Sequence, residues 1–292
     1  MEDNHHFNAG TGSNLTVAGT VECDASIMNS AEDFGAIGAT SGIKNPIKAA
    51  YRILLGSQET DPHGRIPPML VSGNTPSDLA VDPSEMITSK ARSEWERWKT
   101  VIQTEQQPYG VTNDNIVQDT VGAILCTVDG EVAAGVSSGG ILLKPTGRIG
   151  EAACFGAGCW ASGARDSLNA VACSISGAGE MIMRAFLAKE LAESVRRPDC
   201  DAHEEIERTL NKFIDMCARR GSDHANAGVI LIVAEHHEDG VVRPRLWCGF
   251  TTQSFAVAYA TSMDSPPKAV ILRRPNRESD KSGLYITSLP LS

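Results

Sequence analysis

Residues 114–123 read DNIVQDTVGA. A polar stretch ends at Gln118-Asp119, and the apolar run VGAILCTV follows Thr120 with no turn residue between them. The reading of this junction decides the fold. Residues 103–119, QTEQQPYGVTNDNIVQD, carry Pro108-Tyr109-Gly110 and no apolar period, so they read as a mobile linker. Thr120 then reads as the first residue of a buried strand. A threonine there is ordinary on β-propensity alone. Its hydroxyl is a weak nucleophile unless a base sits beside it, and one available base is the residue's own α-amine. A free α-amine has a pKa near ~8, close to working pH. It exists here only if the chain is cut between Asp119 and Thr120. The β-branched side chain has few χ1 choices, which helps to aim the hydroxyl.

Downstream, VGAILCTV and EVAAGVSS flank Asp129-Gly130, which reads as the two-residue turn of a type I′ hairpin. Both runs are apolar on both faces, as for strands in the middle of a layered structure. KPTGRIGEAACFGAGCWA is crowded with small residues. AVACSI reads as a strand leading into Gly177-Ala178-Gly179 and a helix over about 180–195. A second helix over about 201–218 buries Ile206, Leu210, Phe213, Ile214 and Cys217, with Gly221 suited to its end. GVILIVAE, RLWCGFTT, FAVAYATS and KAVILRR read as antiparallel strands of a second sheet.

Upstream, residues 8–50 hold short runs, NAGTGSNL, TVECDASIM and FGAIGATSGI, that read as strands and tight turns. Pro46 opens a helix through Ala49, Ala50 and Leu54, with Gly56 after it. Residues 56–84 read mostly as loop. Trp95, Trp98 and Ile102 share a helical stripe and read as core packing. Strands, two helices and strands again imply a sheet-on-sheet core with helices outside. No internal repeat is visible.

The 292 residues are 41% hydrophobic, enough to bury a core, and no run is apolar enough to span a membrane. MEDNHHFNAG has neither the basic nor the apolar region of a secretory signal. The eight cysteines form no C-x-x-C pair and read as reduced core thiols. No Cys/His spacing matches a zinc site, so no metal is expected. A formal net charge of −10 argues against a nucleic-acid surface. His203, His224, His236 and His237 read as surface residues.

At this point the motifs carry a resemblance. DTVGA, VSSGG, GRIGEA and SGAGE, with FNAGTGSNL, VECDASIM, SGIKNPI and GRIPP upstream, resemble the threonine branch of the N-terminal-nucleophile hydrolases. That branch holds the type 2 asparaginases (isoaspartyl peptidases), the glycosylasparaginases and threonine aspartase. SGIKNPI, GRIPP and NKFI at 211–214 look most like threonine aspartase. The resemblance implies an α+β fold, a four-layer αββα sandwich. It also implies self-cleavage at Asp119–Thr120 into an α part, residues 1–119, and a β part, residues 120–292. The two parts together form one domain, and αβ units pair into dimers.

The resemblance assigns roles. Thr120 is the nucleophile and, through its amine, the base. Ser138 bonds the nucleophile region. Ser176 and Gly177 form the oxyanion hole. Arg148 clamps a substrate carboxylate, and Gly179 and Asn8 are further substrate-binding positions. Three residues after the arginine, asparaginases of this branch carry an Asp that holds the substrate's α-ammonium, whereas threonine aspartases have a neutral residue. Glu151 stands there. The expectation is that Glu151 turns away to a neighbour or to solvent, leaving the pocket lined mainly by Arg148.

The expected function is therefore a threonine-type endopeptidase that needs no cofactor and cuts protein partners after Asp. The enzyme alternative is an L-asparaginase or isoaspartyl peptidase. The family pattern places a His-Ala-Gly-Ala-Gly strand and two helices before FNAG, and these are not in the sequence. An open sheet edge and impaired activity follow as expectations, so an inert truncated homologue is the alternative from another class. The expected location is intracellular. It is cytoplasmic, with nuclear entry left open because Lys90, Arg92, Arg97 and Lys99 are scattered rather than clustered.

Overall fold

The computed structural model describes residues 1–73, 78–104, 120–222, 225–236, 241–263, 266–275 and 283–291. The expected linker from residue 105 onward, Asp119, His224 and His237 lie outside them. The chain forms two compact units. The first is Met1–Ile27, Asp33–Gly122 and Gly135–Cys154; the second is Met28–Glu32, Ala123–Ala134 and Phe155–Ser292. The class is α+β, with two five-stranded sheets, a separate two-stranded ladder and five α-helices among the described residues.

The first sheet has the order β3-β2-β1-β5-β4. Its strands are β1 (Cys23–Asn29), β2 (Phe34–Thr40), β3 (Leu70–Ser72), β4 (Val121–Cys126) and β5 (Val132–Ser138). β1 and β2 are buried on both faces and built from small residues, so neither shows a polar–apolar alternation. Helix α1 (Pro46–Gln58) lies close on β2: a Cβ on Gly35 would sit 2.2 Å from the Ala50 carbonyl oxygen. Its apolar stripe, Ala49 and Ala50, packs with Ala25, Ile37 and Ile43. Gly56 falls inside α1 rather than after it; a helix interior tolerates glycine at about 1 kcal/mol. The expected loop over 56–84 contains β3, which pairs in parallel with β2, and a 3₁₀ turn at Pro83–Met86 capped by the Asp82 carboxylate.

The hairpin after Thr120 differs from the expected type I′ turn. The Gly130 amide donates to the Thr127 carbonyl at 3.1 Å, and the Thr127 amide to the Glu131 carbonyl at 2.8 Å. Gly130 alone has positive φ, 83°, which makes a three-residue loop: a type I turn closed by a glycine bulge. β4 is an edge strand, not a central one, and its Leu125 is 58% exposed. Helix α2 (Ser89–Thr104) takes in residues 103–104 of the expected linker. Its tryptophans are only half-buried and Ile102 is 64% exposed, so the expected core stripe is a surface stripe anchored at one end. There the Trp95 indole donates to the Thr16 carbonyl at 2.8 Å, and Lys99 covers the ring at 4.3 Å.

The second sheet is antiparallel, in the order β12-β9-β8-β7-β6. Its strands are β6 (Cys159–Ser162), β7 (Ala170–Gly177), β8 (Ala227–His236), β9 (Val242–Phe250) and β12 (Tyr285–Pro290). The helix expected over 180–195 is two helices, α3 (Gly179–Ala185) and α4 (Leu187–Ser194), broken where Phe186 takes the left-handed conformation at φ 47°. Helix α5 (Ala202–Arg219) is capped by the Asp201 carboxylate, which accepts from the His203 and Glu204 amides. It buries Ile206, Leu210, Phe213 and Cys217, while Ile214 is only half-buried. Gly221, at φ 67°, closes it. Among the described residues, β10 (Ser254–Tyr259) and β11 (Lys268–Arg273) pair only with each other, not within the second sheet as expected. All eight cysteines are free thiols, five of them buried. Among the described residues no helix is long and apolar enough to cross a membrane.

Candidate active site

β4 begins at Val121, one residue later than the sequence suggested, and leaves Thr120 half-buried at its entrance. The Thr120 Oγ1 lies 2.9 Å from the Ser138 Oγ, at the end of β5. It also donates to the Glu151 Oε1 at 3.4 Å, a long bond. The Gly140 amide donates to the Ser138 Oγ at 3.0 Å. A hydroxyl has one proton, so with Thr120 donating to Glu151 the Ser138 hydroxyl must donate to Thr120. The row therefore runs in one direction, from the Gly140 amide through Ser138 and Thr120 to the Glu151 carboxylate. It draws the threonine proton toward a negative charge.

Glu151 does not turn away as expected. It opens a short 3₁₀ turn at Glu151–Ala153, is 3% exposed, and faces Thr120.

The turn Gly139-Gly140, directly after Ser138, is set by asparagines. The Asn8 and Asn14 side-chain amides both donate to the Gly140 carbonyl, at 2.8 and 2.9 Å. The Asn14 amide donates to the Asn8 Oδ1 at 2.9 Å, and the Gly139 amide to the Asn8 carbonyl at 2.7 Å. Asn8, expected at the substrate, is placed as a support of this turn. Gly139 has no room for a side chain, since a Cβ would lie 2.3 Å from the Asn8 Oδ1. Gly140 and Gly150 make room for the Arg148 guanidinium: a Cβ on either would approach its Nη1 to 2.9 or 2.6 Å.

Behind this turn lie charges that the sequence reading passed over. Asp24 and Lys144 are fully buried, and Glu22 is buried beside them. The Lys144 ammonium donates to the Glu22 carbonyl at 2.7 Å. The Glu22 carboxylate accepts from the Gly147 amide at 2.8 Å. Asp24 accepts from the Ala39 amide at 2.7 Å and the Gly150 amide at 2.8 Å. Burial pushes the Asp24 carboxyl up from its ordinary value, against the Lys144 charge, the two amides and Arg148. Burial also raises the Cys154 thiol, helped by Asp24 and Glu151 and opposed by Arg148. The signal for Glu22 and Asp24 was present: two carboxylates two residues apart in VECDASIM, a run with no other charge.

Ser176, Gly177 and Gly179 belong to the second unit. Ser176 and Gly177 end β7, opposite Gly228 and Ala227. Gly177 has φ 149°, and a Cβ there would lie 2.1 Å from the Asn226 carbonyl oxygen, so only glycine fits. Gly179 is buried at the start of α3. Among the described residues no three His, Cys, Asp or Glu side chains converge as a metal site.

This arrangement can be set beside known proteins. The family described as Asparaginase matches residues 1–235. The chain belongs to the asparaginase family. Among its relatives, the plant-type L-asparaginase of Thermococcus kodakarensis is 35% identical over 210 residues, 67% of this chain and 63% of that protein. The isoaspartyl peptidase/L-asparaginase of Xenopus laevis is 34% identical over 197 residues, covering 65% and 57%. Its human counterpart is 35% identical over 192 residues, covering 65% and 58%. The chain thus spans about three-fifths of the length of these relatives. Family membership places it among the N-terminal-nucleophile hydrolases, the broad group that the motifs around Thr120 resemble. The narrower resemblance to threonine aspartase has no counterpart among these relatives.

Proposed function

We propose that this chain is a threonine-nucleophile hydrolase of aspartyl side-chain amides, taking L-asparagine or a β-aspartyl dipeptide. One observation carries the reading: a buried Glu151 carboxylate facing Thr120. A substrate cut at its side-chain amide keeps a free, cationic α-amine, which a carboxylate beside the nucleophile attracts through a charge-assisted hydrogen bond. An endopeptidase substrate offers an acylated, uncharged nitrogen at the same place. The relatives' names, L-asparaginase and isoaspartyl peptidase, support the same choice.

In the proposed reaction Arg148 holds the substrate α-carboxylate through its two-pronged guanidinium, and Glu151 holds the α-ammonium. Thr120 Oγ attacks the side-chain carbonyl carbon. Its proton passes to the Thr120 α-amine and from there to the departing ammonia or amine. Ser138 orients the hydroxyl. Water then attacks the aspartyl ester, the amine serving again as base, and aspartate leaves. In a continuous chain the Thr120 nitrogen is an amide and cannot do this. Self-cleavage between Asp119 and Thr120, and pairing of the resulting αβ units, are therefore parts of the proposal.

A second reading, cleavage of proteins after Asp, is favoured by SGIKNPI, GRIPP and NKFI. Assays of the purified chain separate the two. Release of ammonia from L-asparagine, or cutting of a β-aspartyl dipeptide, is the expected result. Cutting only of a peptide with an internal Asp-Gly bond would replace the first reading with the second.

A further inference from the structure

We propose that Asp24 is the positioning residue for the substrate clamp: its buried carboxylate, beside Lys144, holds the turn from Gly147 to Glu151 and thereby fixes where Arg148 and Glu151 point. The inference rests on the reading of Arg148 and Glu151 given above. Three observations carry it.

The first is where the bonds fall. Glu22 takes the amide of Gly147 and Asp24 the amide of Gly150, at 2.8 Å each. These two residues bracket Arg148 and immediately precede Glu151. The turn is thus gripped on both sides of one clamp residue and directly before the other. The second is the origin of the grip. Asp24 lies on β1 and Glu22 in the extended chain immediately before it, two residues apart. Asp24 uses its other oxygen on the Ala39 amide at the end of β2. One carboxylate therefore ties the turn to two neighbouring strands of a packed sheet rather than to another loop.

The third is charge. A buried carboxylate is costly unless paired. Lys144, fully buried, donates to the Glu22 carbonyl and lies near enough to Asp24 to oppose its protonation. Arg148 and Asp24 also attract each other. Asp24 thus acts on the guanidinium twice, through the backbone of Gly150 and through its field.

The experiment uses the whole chain and the near-isosteric Asp24→Asn, which puts an NH₂ group where one of the two amides must be accepted. Hydrogen exchange is read by mass spectrometry on peptides covering 145–153. Kinetics are read on a β-aspartyl dipeptide. The expected result is at least tenfold faster exchange in that segment, with α5 unchanged. KM should rise about tenfold while kcat stays within about threefold, because the Thr120–Ser138 pair is set from Asn8 and Asn14 instead. Unchanged exchange in 145–153 overturns the proposal. So does a loss confined to kcat with KM unaltered. If the wild type fails to cut the dipeptide, the proposed function falls while the exchange experiment still decides whether Asp24 holds the turn. Should Asp24→Asn not fold, Glu22→Ala, which frees the Gly147 amide alone, is put through the same two readouts with the same deciding outcomes.

Discussion

The turn from Gly147 to Glu151 and the β10–β11 ladder are both short surface-reaching segments, and they are held in opposite ways. In the turn Ile149 lies over Gly38 of β2, two buried carboxylates grip the amides, and two glycines keep the space the arginine fills. The ladder is rich in apolar residues, but among the described residues it pairs with no other strand and leaves Ile271 58% exposed. Burial of polar groups with every bond directed gives a unique geometry; apolar residues on a two-stranded ribbon give little stability and less precision. In this molecule the polar, over-determined segment is where the chemistry is proposed.

The comparison can be broken at several points. Thr120→Ala should abolish hydrolysis, a loss on the order of 10³-fold or more, because the residue supplies the nucleophile and, with its amine, the base. Turnover of a β-aspartyl dipeptide by the folded variant checks this. Arg148→Ala should cost about 2 kcal/mol of transition-state binding, or roughly 30-fold in kcat/KM, since it removes charge-assisted bonds to the substrate carboxylate. An unaltered kcat/KM would mean the guanidinium faces something other than substrate.

A smaller effect concerns pH. Burial raises the Asp24 carboxyl above its ordinary 3.8. The native protein then takes up this proton before the unfolded chain does. The stability contributed is fully present below 3.8 and is lost as pH rises through the folded value. Urea midpoints of the wild type, measured relative to Asp24→Asn, should therefore fall across that window as pH rises. A relative rise would mean that Lys144, Arg148 and the two amides outweigh burial. The smallest effect belongs to the ladder: Ile271→Lys should change stability by no more than about 0.5 kcal/mol, and a larger loss would show that the ribbon is covered in solution.

Much of this was legible from local pattern. Thr120 at a strand entrance, the hairpin beyond it, the α5 stripe and the glycine that ends α5 all follow from period, propensity and capping. The errors arose where long-range contacts decide. Period 2 shows that residues 254–259 and 268–273 are strands, but not that they pair only with each other. The αL break at Phe186 has no sequence signal, because phenylalanine is not a residue that favours positive φ. The Trp95 stripe has the right period for a core helix, yet period alone does not say what lies opposite. Glu151 was misdirected for a similar reason. The turn that carries it is held by Glu22 and Asp24, more than 120 residues earlier in the chain, and no local pattern shows that contact.

The central claim is that Glu151 faces the reacting centre to receive a substrate cation. The most direct measurement is the kinetics of Glu151→Gln, which keeps shape and removes charge, on a β-aspartyl dipeptide and on a peptide with an internal Asp-Gly bond. The account predicts that the wild type cuts the dipeptide and that the variant loses roughly tenfold to a hundredfold of that kcat/KM, the worth of one charge-assisted bond. A variant that cuts both substrates as well as the wild type does would contradict it.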